Sequence, residues 1–95
     1  MPRPLREQVV VITGASSGIG RETALRLGQR GASLVLAARN AEALTSLARE
    51  IEQAGGQAHV VPTDVADWPQ VEKLAQAAVD RFGRIDTWIN NAGLY

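Results

Sequence analysis

A glycine-rich turn constrains what this chain can fold into more than any other feature of the sequence. Glycines stand at positions 14, 18 and 20, directly after the apolar run Val9-Val10-Val11-Ile12. A parallel strand that is buried on both faces has such a continuous apolar sequence. The chain must then turn sharply into a segment of helical periodicity. Because glycines have no Cβ atom, the backbone of such a turn can lie very close to a ligand.

The start of the predicted helix supplies the chemistry of an anion site. Its first N–H groups have no partner inside the helix, and the helix dipole adds positive potential there. A Cβ on Gly14 or Gly18 would push phosphate groups away, and one on Gly20 would keep the helix from packing against its strand. The hydroxyls of Ser16 and Ser17 add donors. The predicted ligand is a pyrophosphate, and the alternative is a tight strand-to-helix connection with a serine N-cap.

Three motifs in this sequence resemble those of one enzyme family. The segment Thr13-Gly14-Ala15-Ser16-Ser17-Gly18-Ile19-Gly20 resembles the cofactor fingerprint of the short-chain dehydrogenase/reductase family, and Asp64-Val65 and Asn90-Asn91-Ala92-Gly93 resemble two further motifs of it. The resemblance implies an α/β fold of the Rossmann type and hydride transfer between a nicotinamide and a carbonyl or alcohol substrate. It covers nearly the whole chain but only about the first third to two-fifths of a typical family member.

Composition excludes few functions. The 95 residues allow at most one domain, and ten acidic and ten basic side chains cancel, so charge gives no reason to expect nucleic acid or an anionic membrane as a partner. The absence of cysteine excludes disulfides and thiolate metal sites and fits a reducing cytoplasm. The first residues lack the apolar segment of a signal peptide. His59 has no partner at metal-ligand spacing, so no metal site is expected.

Apolar periodicity predicts four strands alternating with three helices. The strands are expected at about 8–13, 34–38, 58–62 and 85–89, and the helices at about 18–30, 41–54 and 67–82. This alternation predicts a parallel sheet with right-handed crossovers. By the resemblance, the strand order is 3-2-1-4 in a three-layer sandwich, with helices one and two on one face and helix three on the other. Residues 1–95 are expected to be the N-terminal, dinucleotide-binding part of a single Rossmann domain.

Each predicted helix has a stripe of apolar residues expected to be buried. The stripes are Ile19, Ala24, Leu27 and Gly28 in helix one, Leu44, Leu47, Ala48 and Ile51 in helix two, and Val71, Leu74, Ala75, Ala78, Val79 and Phe82 in helix three. Asn40 is the predicted N-cap of helix two, and Gln70 stands in the capping-box position of helix three. Trp68 and Trp88 are expected to be packing residues.

The end of strand two predicts which cofactor is bound. Enzymes that select NAD usually place an acid about 20 residues past the glycines to bind the ribose 2′-hydroxyl. Here the strand ends Ala37-Ala38-Arg39-Asn40, and the Arg39 guanidinium can pair with a 2′-phosphate and stack on the adenine. NADP is therefore predicted over NAD; the alternative is that Arg39 is a solvated residue at a helix start. Family members often carry a second basic residue where this chain has Ser17.

The resemblance assigns cofactor contacts to residues after the other strands. It implies that Asp64 binds the adenine amino group with help from the Val65 backbone, and that Asn91, Ala92 and Gly93 lie against the nucleotide. The alternatives are an Asx-turn at Asp64 and turn-forming asparagines after strand four. The predicted cofactor-binding residues are Gly14, Ser16, Ser17, Gly18, Ile19, Gly20, Arg39, Asp64, Val65, Asn91, Ala92 and Gly93.

No catalytic residue is predicted within residues 1–95. The resemblance implies a catalytic tyrosine, a lysine four residues after it, a serine and an asparagine, all beyond strand four. Tyr95 directly follows the asparagine motif and has no lysine after it. The expected function is the cofactor-binding half of an NADP-dependent oxidoreductase, inactive by itself. The alternatives are a non-catalytic dinucleotide-binding or interaction module, or another Rossmann enzyme such as a methyltransferase or a nucleotide-sugar epimerase.

Two expectations concern association. Strand four would be an unpaired edge, and the sheet beside strands one and four would lack covering helices. The isolated 95-residue chain is therefore expected to self-associate, or to stay folded only with the remaining half of the domain present. The resemblance implies that the complete protein forms a homo-oligomer, and it leaves the substrate undefined.

Overall fold

The chain forms a four-stranded parallel sheet with helices on both faces. The computed structural model describes residues 3–16 and 18–91. The elements in chain order are a 3₁₀ turn at Leu5–Glu7, β1 Val9–Thr13, α1 Gly18–Gln29, β2 Ser33–Ala38, α2 Ala41–Gln53, β3 Gln57–Pro62, α3 Trp68–Phe82 and β4 Thr87–Asn90. The strand order is β3-β2-β1-β4, with every neighbouring pair parallel. The predicted Rossmann-type topology is therefore confirmed.

Strand β1 lies inside the sheet and supplies both halves of the core. All five of its residues are buried, as the unbroken apolar run predicts. Because side chains alternate along a strand, Val10 and Ile12 pack with the apolar faces of α1 and α2, whereas Val11 packs with Leu74 and Ala78 of α3. The same alternation in β2 sends Leu34 and Leu36 to one face and Val35 and Ala37 to the other. The sheet is thus fixed between two helical layers.

Helices α1 and α2 form one layer and approach each other closely. A Cβ on Gly28 would lie 2.7 Å from Cγ2 of Ile51, so the crossing of these helices requires a glycine there. Helix α2 buries the predicted Leu44, Leu47, Ala48 and Ile51. It begins after Asn40, whose Oδ1 accepts from the Ala43 N–H at 3.0 Å, so the predicted N-cap is confirmed. Among the described residues, no helix has the length and apolarity needed to cross a membrane.

Four apolar residues that were expected to be buried in a helix stripe or to pack against neighbours are exposed instead. Ile19 is 74% exposed because the buried line of α1 is Gly20, Ala24 and Gly28, and Ile19 projects about 100° away from that line. Val79 is 42% exposed, one turn beyond the half-buried Ala75 of α3. Trp68 and Trp88 are also exposed, at 69% and 36%. Trp68 and Trp88 line an open groove together with Val71 and Ala75.

The start of α3 differs from the predicted capping box. Asp67 is the N-cap residue, but its carboxylate accepts no hydrogen bond from the backbone of the helix. The Gln70 side chain bonds the Asp67 carboxylate and the backbone N–H of Asp64 rather than the N–H of Asp67. The end of α3 agrees with the sequence, because Gly83 adopts φ 87° and donates its N–H to the Val79 carbonyl at 2.7 Å.

Strand β4 begins two residues later than predicted because Asp86 makes a different contact. Its Oδ2 accepts from the Val9 N–H at 2.7 Å, and its own N–H donates to the Val9 carbonyl at 2.9 Å. Strand pairing starts one step further along, with Val10 opposite Thr87. The hydrogen bond from Val9, helped by Arg84 and Arg3, holds the pKa of the Asp86 carboxyl below its usual range. This contact joins β1 to the residue before β4, at the end of the sheet opposite the glycine turn.

Candidate functional site

The predicted site residues follow strands whose carboxyl ends meet at one edge of the sheet. Thr13 lies opposite Ala37 of β2 and Asn90 of β4, and Ala37 lies opposite Val61 of β3. The segments after these residues are the glycine turn, Arg39, the loop containing Asp64, and Asn91. In open parallel sheets this edge, beside the point where strand order reverses, is where ligands bind. The topology therefore brings the predicted residues to the same side of the molecule.

The glycine turn has a backbone that requires glycine at two positions. Gly14 and Gly18 adopt φ 65° and 59°, the left-handed region that side chains disfavour. Ala15, fully buried between them, donates its N–H to the Ala37 carbonyl at 3.2 Å and so fixes the turn to β2.

Gly20 is needed for close packing within the site. A Cβ there would lie 2.5 Å from Nδ2 of Asn91 and closer still to the carbonyl oxygen of Gly14. The steric reason predicted for this glycine, packing of the helix on its strand, is thus refined: the first turn of α1 lies against the turn itself and against Asn91.

The first turn of α1 is open to solvent. Gly18 and Ile19 are exposed at its start, and Ser16 is half-buried just before it. The initial N–H groups of a helix lack intrahelical partners, so they can donate to a bound anion at this edge. Ser17, predicted as a further donor, lies outside the described residues.

Two asparagines join the end of β4 to the end of β1. The buried Thr13 donates from Oγ1 to Oδ1 of Asn90 at 2.7 Å, and Asn91 donates from Nδ2 to the Gly14 carbonyl at 3.1 Å. These bonds give both asparagines a role in holding the strand ends together, beyond forming a turn. Ala92 and Gly93, also predicted to lie near the nucleotide, fall outside the described residues.

Arg39 is an exposed cation at the same edge. It follows the buried Ala38 at the end of β2 and precedes Asn40, the N-cap of α2. In the part of the chain that the structure describes, no carboxylate forms an ion pair with Arg39. Its guanidinium is therefore available to an anionic ligand.

The loop after β3 holds Asp64 at the edge. Thr63, 3% exposed, donates its N–H to the Ala38 carbonyl at 2.9 Å, which fixes the loop to β2. Oδ1 of Asp64 accepts from the Ala66 N–H at 3.0 Å, so the Asx-turn considered as an alternative is present and uses one carboxylate oxygen. Val65 is exposed beside it. The sequence did not predict the bond from the Asp64 N–H to the Gln70 side chain. The capping-box spacing predicted only that Gln70 caps helix α3.

Comparison with known proteins identifies the family. The model of the short chain dehydrogenase family matches residues 8–95, and the chain therefore belongs to that family. Members of this family bind a nicotinamide dinucleotide.

Individual relatives match the chain over nearly its whole length. It is 48% identical over 92 residues to the uncharacterized oxidoreductase YxnA of Bacillus subtilis, covering 97% of this chain and 26% of that protein. It is 42% identical to a putative ketoacyl reductase of Streptomyces coelicolor, covering 90% of this chain and 33% of that protein.

Solved structures agree with the fold. A short chain dehydrogenase from Bacillus anthracis superposes with a TM-score of 0.87 at 41% identity, covering 95% of this chain and 36% of that one. A variant of actinorhodin polyketide ketoreductase with NADPH gives a TM-score of 0.86 at 40% identity, covering 98% and 35%. The chain thus spans between 26% and 36% of the length of these four relatives.

Proposed function

We propose that this chain is the cofactor-binding part of an NADP-dependent short-chain oxidoreductase, which transfers hydride between the nicotinamide and a carbonyl or alcohol substrate. The observation that carries the proposal is the packing of Gly20 against the Gly14 carbonyl and Asn91. This packing places the N–H groups at the start of α1 at the same edge of the sheet as Arg39 and Asp64. A parallel sheet with such an edge suits a dinucleotide, whose phosphates, ribose and adenine need separate contacts.

Each group of residues has a part in the proposed binding mode. The glycine turn and the first turn of α1 hold the pyrophosphate, with Ser16 and Ser17 as further donors and Ile19 alongside. Asp64 and Val65 bind the adenine. Asn91, Ala92 and Gly93 lie along the nucleotide. When bound, the cofactor supplies the hydride chemistry, and these residues of the chain bind and orient it.

The preference for NADP is proposed from Arg39. An exposed guanidinium without an ion-pair partner among the described residues favours a 2′-phosphate, because an Arg–phosphate pair is charge-assisted and bidentate. No acid ends β2, where NAD-selective enzymes usually place one. The related polyketide ketoreductase with NADPH supports the same choice.

Paired titrations test the proposal. NADP and NAD are titrated into the protein that carries this chain, into Arg39→Met and into the control Arg49→Met, which removes an exposed arginine from α2. We expect NADP to bind more tightly than NAD, and Arg39→Met to lose about tenfold in NADP affinity, the size expected for a charge-assisted hydrogen bond. Arg49→Met should match the parent. Equal affinities of the parent for NADP and NAD would refute the role of Arg39, and no binding of either would refute the proposed function.

A second assay tests hydride transfer. Oxidation of NADPH is followed with a panel of ketones and aldehydes in the same protein. Turnover of any of them supports the oxidoreductase assignment. Tight NADPH binding without turnover across the panel would favour the alternative of a non-catalytic dinucleotide-binding module.

A further inference from the structure

The loop that carries Asp64 is closed by one side chain from α3. Oε1 of Gln70 accepts from the Asp64 N–H at 2.8 Å, and Nε2 of Gln70 donates to Oδ2 of Asp67 at 2.9 Å. A side chain that only capped the helix would bond the N–H of its own N-cap residue. Gln70 instead reaches six residues back along the chain, to the residue predicted to bind adenine.

Backbone bonds reinforce the same loop. The Asp67 N–H donates to the Asp64 carbonyl, and the Gln70 N–H donates to the Asp67 carbonyl, each at 3.0 Å. On the other side, Thr63 is anchored to the Ala38 carbonyl of β2. The Asp64 backbone is therefore held from β2 by one neighbour and from α3 by the Gln70 side chain.

These contacts leave one oxygen of the Asp64 carboxylate for a ligand. The Ala66 N–H occupies Oδ1 at 3.0 Å. Within residues 3–16 and 18–91, no donor bonds Oδ2. A carboxylate oxygen accepts only, so it suits an exocyclic amino group and disfavours a carbonyl oxygen at the same place.

We propose that Gln70 is a positioning residue that sets the selectivity of the site for a 6-aminopurine over a 6-oxopurine. The inference rests on the proposed function, because it concerns the adenine end of the bound dinucleotide. Gln70 touches no ligand itself. It fixes the Asp64 N–H and thereby directs Oδ2 toward the amino group.

The test compares two dinucleotides that differ in the 6-substituent of the purine and in the proton that the 6-oxo form carries on the neighbouring N1. NADP and nicotinamide hypoxanthine dinucleotide phosphate are titrated into the protein that carries this chain and into Gln70→Met, which keeps the length of the side chain without its amide. The control is Gln76→Met, since Gln76 lies on the same helix and donates to Asp80 at 2.8 Å, away from the loop. If the methionine variant does not fold, Gln70→Ser is used instead, because its short side chain cannot reach the Asp64 N–H.

We expect the parent and Gln76→Met to prefer the adenine form by about tenfold, the size of one charge-assisted hydrogen bond. In Gln70→Met the preference should fall to within roughly twofold, while affinity for the hypoxanthine form stays close to that of the parent. A purely structural role would lower both affinities by the same factor and keep the preference, which overturns the inference. A parent that binds both forms equally also overturns it, with dinucleotide binding intact. A parent that binds neither form refutes the proposed function, and the inference with it.

Discussion

The side-chain amide of Asn91 donates to the carbonyl oxygen of Gly14 at 3.1 Å, although the two residues are 77 positions apart in the chain. This bond joins the segment after β4 to the turn after β1. It also limits what can stand at position 20, because a Cβ there would lie 2.5 Å from the same amide nitrogen. The shape of the glycine turn therefore depends on a strand that comes about seventy residues later in the sequence.

Gly20→Ala should disrupt both the fold at this edge and the proposed binding. The added methyl meets the Gly14 carbonyl, a backbone atom that cannot move without shifting the turn. Overpacking of this kind destabilises by about 1–3 kcal/mol, and the shifted turn should weaken NADP binding by at least about tenfold. Urea unfolding and NADP titration measure the two effects.

Gly55→Ala is the matched control for that variant. Gly55 has φ 94° beyond the end of α2, and a Cβ there meets nothing within 4 Å. We expect strain of about 1–2 kcal/mol and unchanged NADP affinity. If Gly20→Ala bound NADP as tightly as Gly55→Ala, the packing at Gly20 would have no part in binding.

Asn40→Ala and Asn40→Asp separate the stability of α2 from cofactor choice. Alanine removes the acceptor for the Ala43 N–H and should lower the free energy of unfolding by about 1 kcal/mol. Aspartate keeps the cap but places a carboxylate beside Arg39, so it should retain stability while losing NADP affinity relative to NAD. The measurements are urea unfolding and paired titrations. An aspartate variant with the NADP preference of the parent would contradict the placement of the 2′-phosphate at Arg39.

Asp86 should make the stability of the protein depend on pH in the acid range. Its pKa in the folded protein lies below the ordinary value of 3.8, mainly because the Val9 N–H bonds the ionised carboxylate. The stabilisation is therefore complete above that value and is lost as the pH falls through the lower pKa of the folded state. We expect Asp86→Asn to lower the free energy of unfolding at neutral pH and the difference from the parent to shrink below pH 3.8.

Denaturant unfolding at a series of pH values checks this expectation. Asp80→Asn is the control, since Asp80 accepts from Gln76 on the exposed side of α3, remote from β1. It should change the stability at neutral pH much less than Asp86→Asn. A constant difference between Asp86→Asn and the parent across the whole range would show that ionisation of Asp86 does not stabilise the fold.

The 95-residue polypeptide should self-associate in solution. In the sheet formed by residues 3–16 and 18–91, β4 is an edge strand. Beside it lies a groove of about 460 Å³ whose lining includes Trp68, Val71, Ala75 and Trp88. An exposed apolar groove next to an unpaired strand edge favours association. Light scattering should give a mass that rises with concentration, and less so for Trp88→Thr. A stable monomer at high concentration would contradict the expectation.

The parts of the structure that depend on local chemistry could be predicted from the sequence. The unbroken apolar run of β1 indicated a strand buried on both faces, and Asn40 indicated a helix start, since both effects act within a few residues. The strand order followed from the family resemblance carried by the glycine turn and the asparagine motif.

The remaining features depend on contacts between distant residues. Helical periodicity shows which residues share a face but not whether another element covers that face, so Val79 was wrongly expected to be buried. The start of β4 was placed too early because the sequence does not show that the Asp86 side chain takes the Val9 N–H. The bond between Gln70 and Asp64 could not be predicted for the same reason. The spacing indicated a helix cap, whereas the Gln70 side chain accepts from the loop that precedes α3.

A crystal structure of the protein that carries this chain, grown with NADP, tests dinucleotide binding at this edge most directly. We expect pyrophosphate oxygens within about 3 Å of the N–H groups at the start of α1, the 2′-phosphate against Arg39 and the adenine amino group at Oδ2 of Asp64. NADP bound elsewhere on the protein, or bound here with its phosphates away from the glycine turn, would contradict the proposed function.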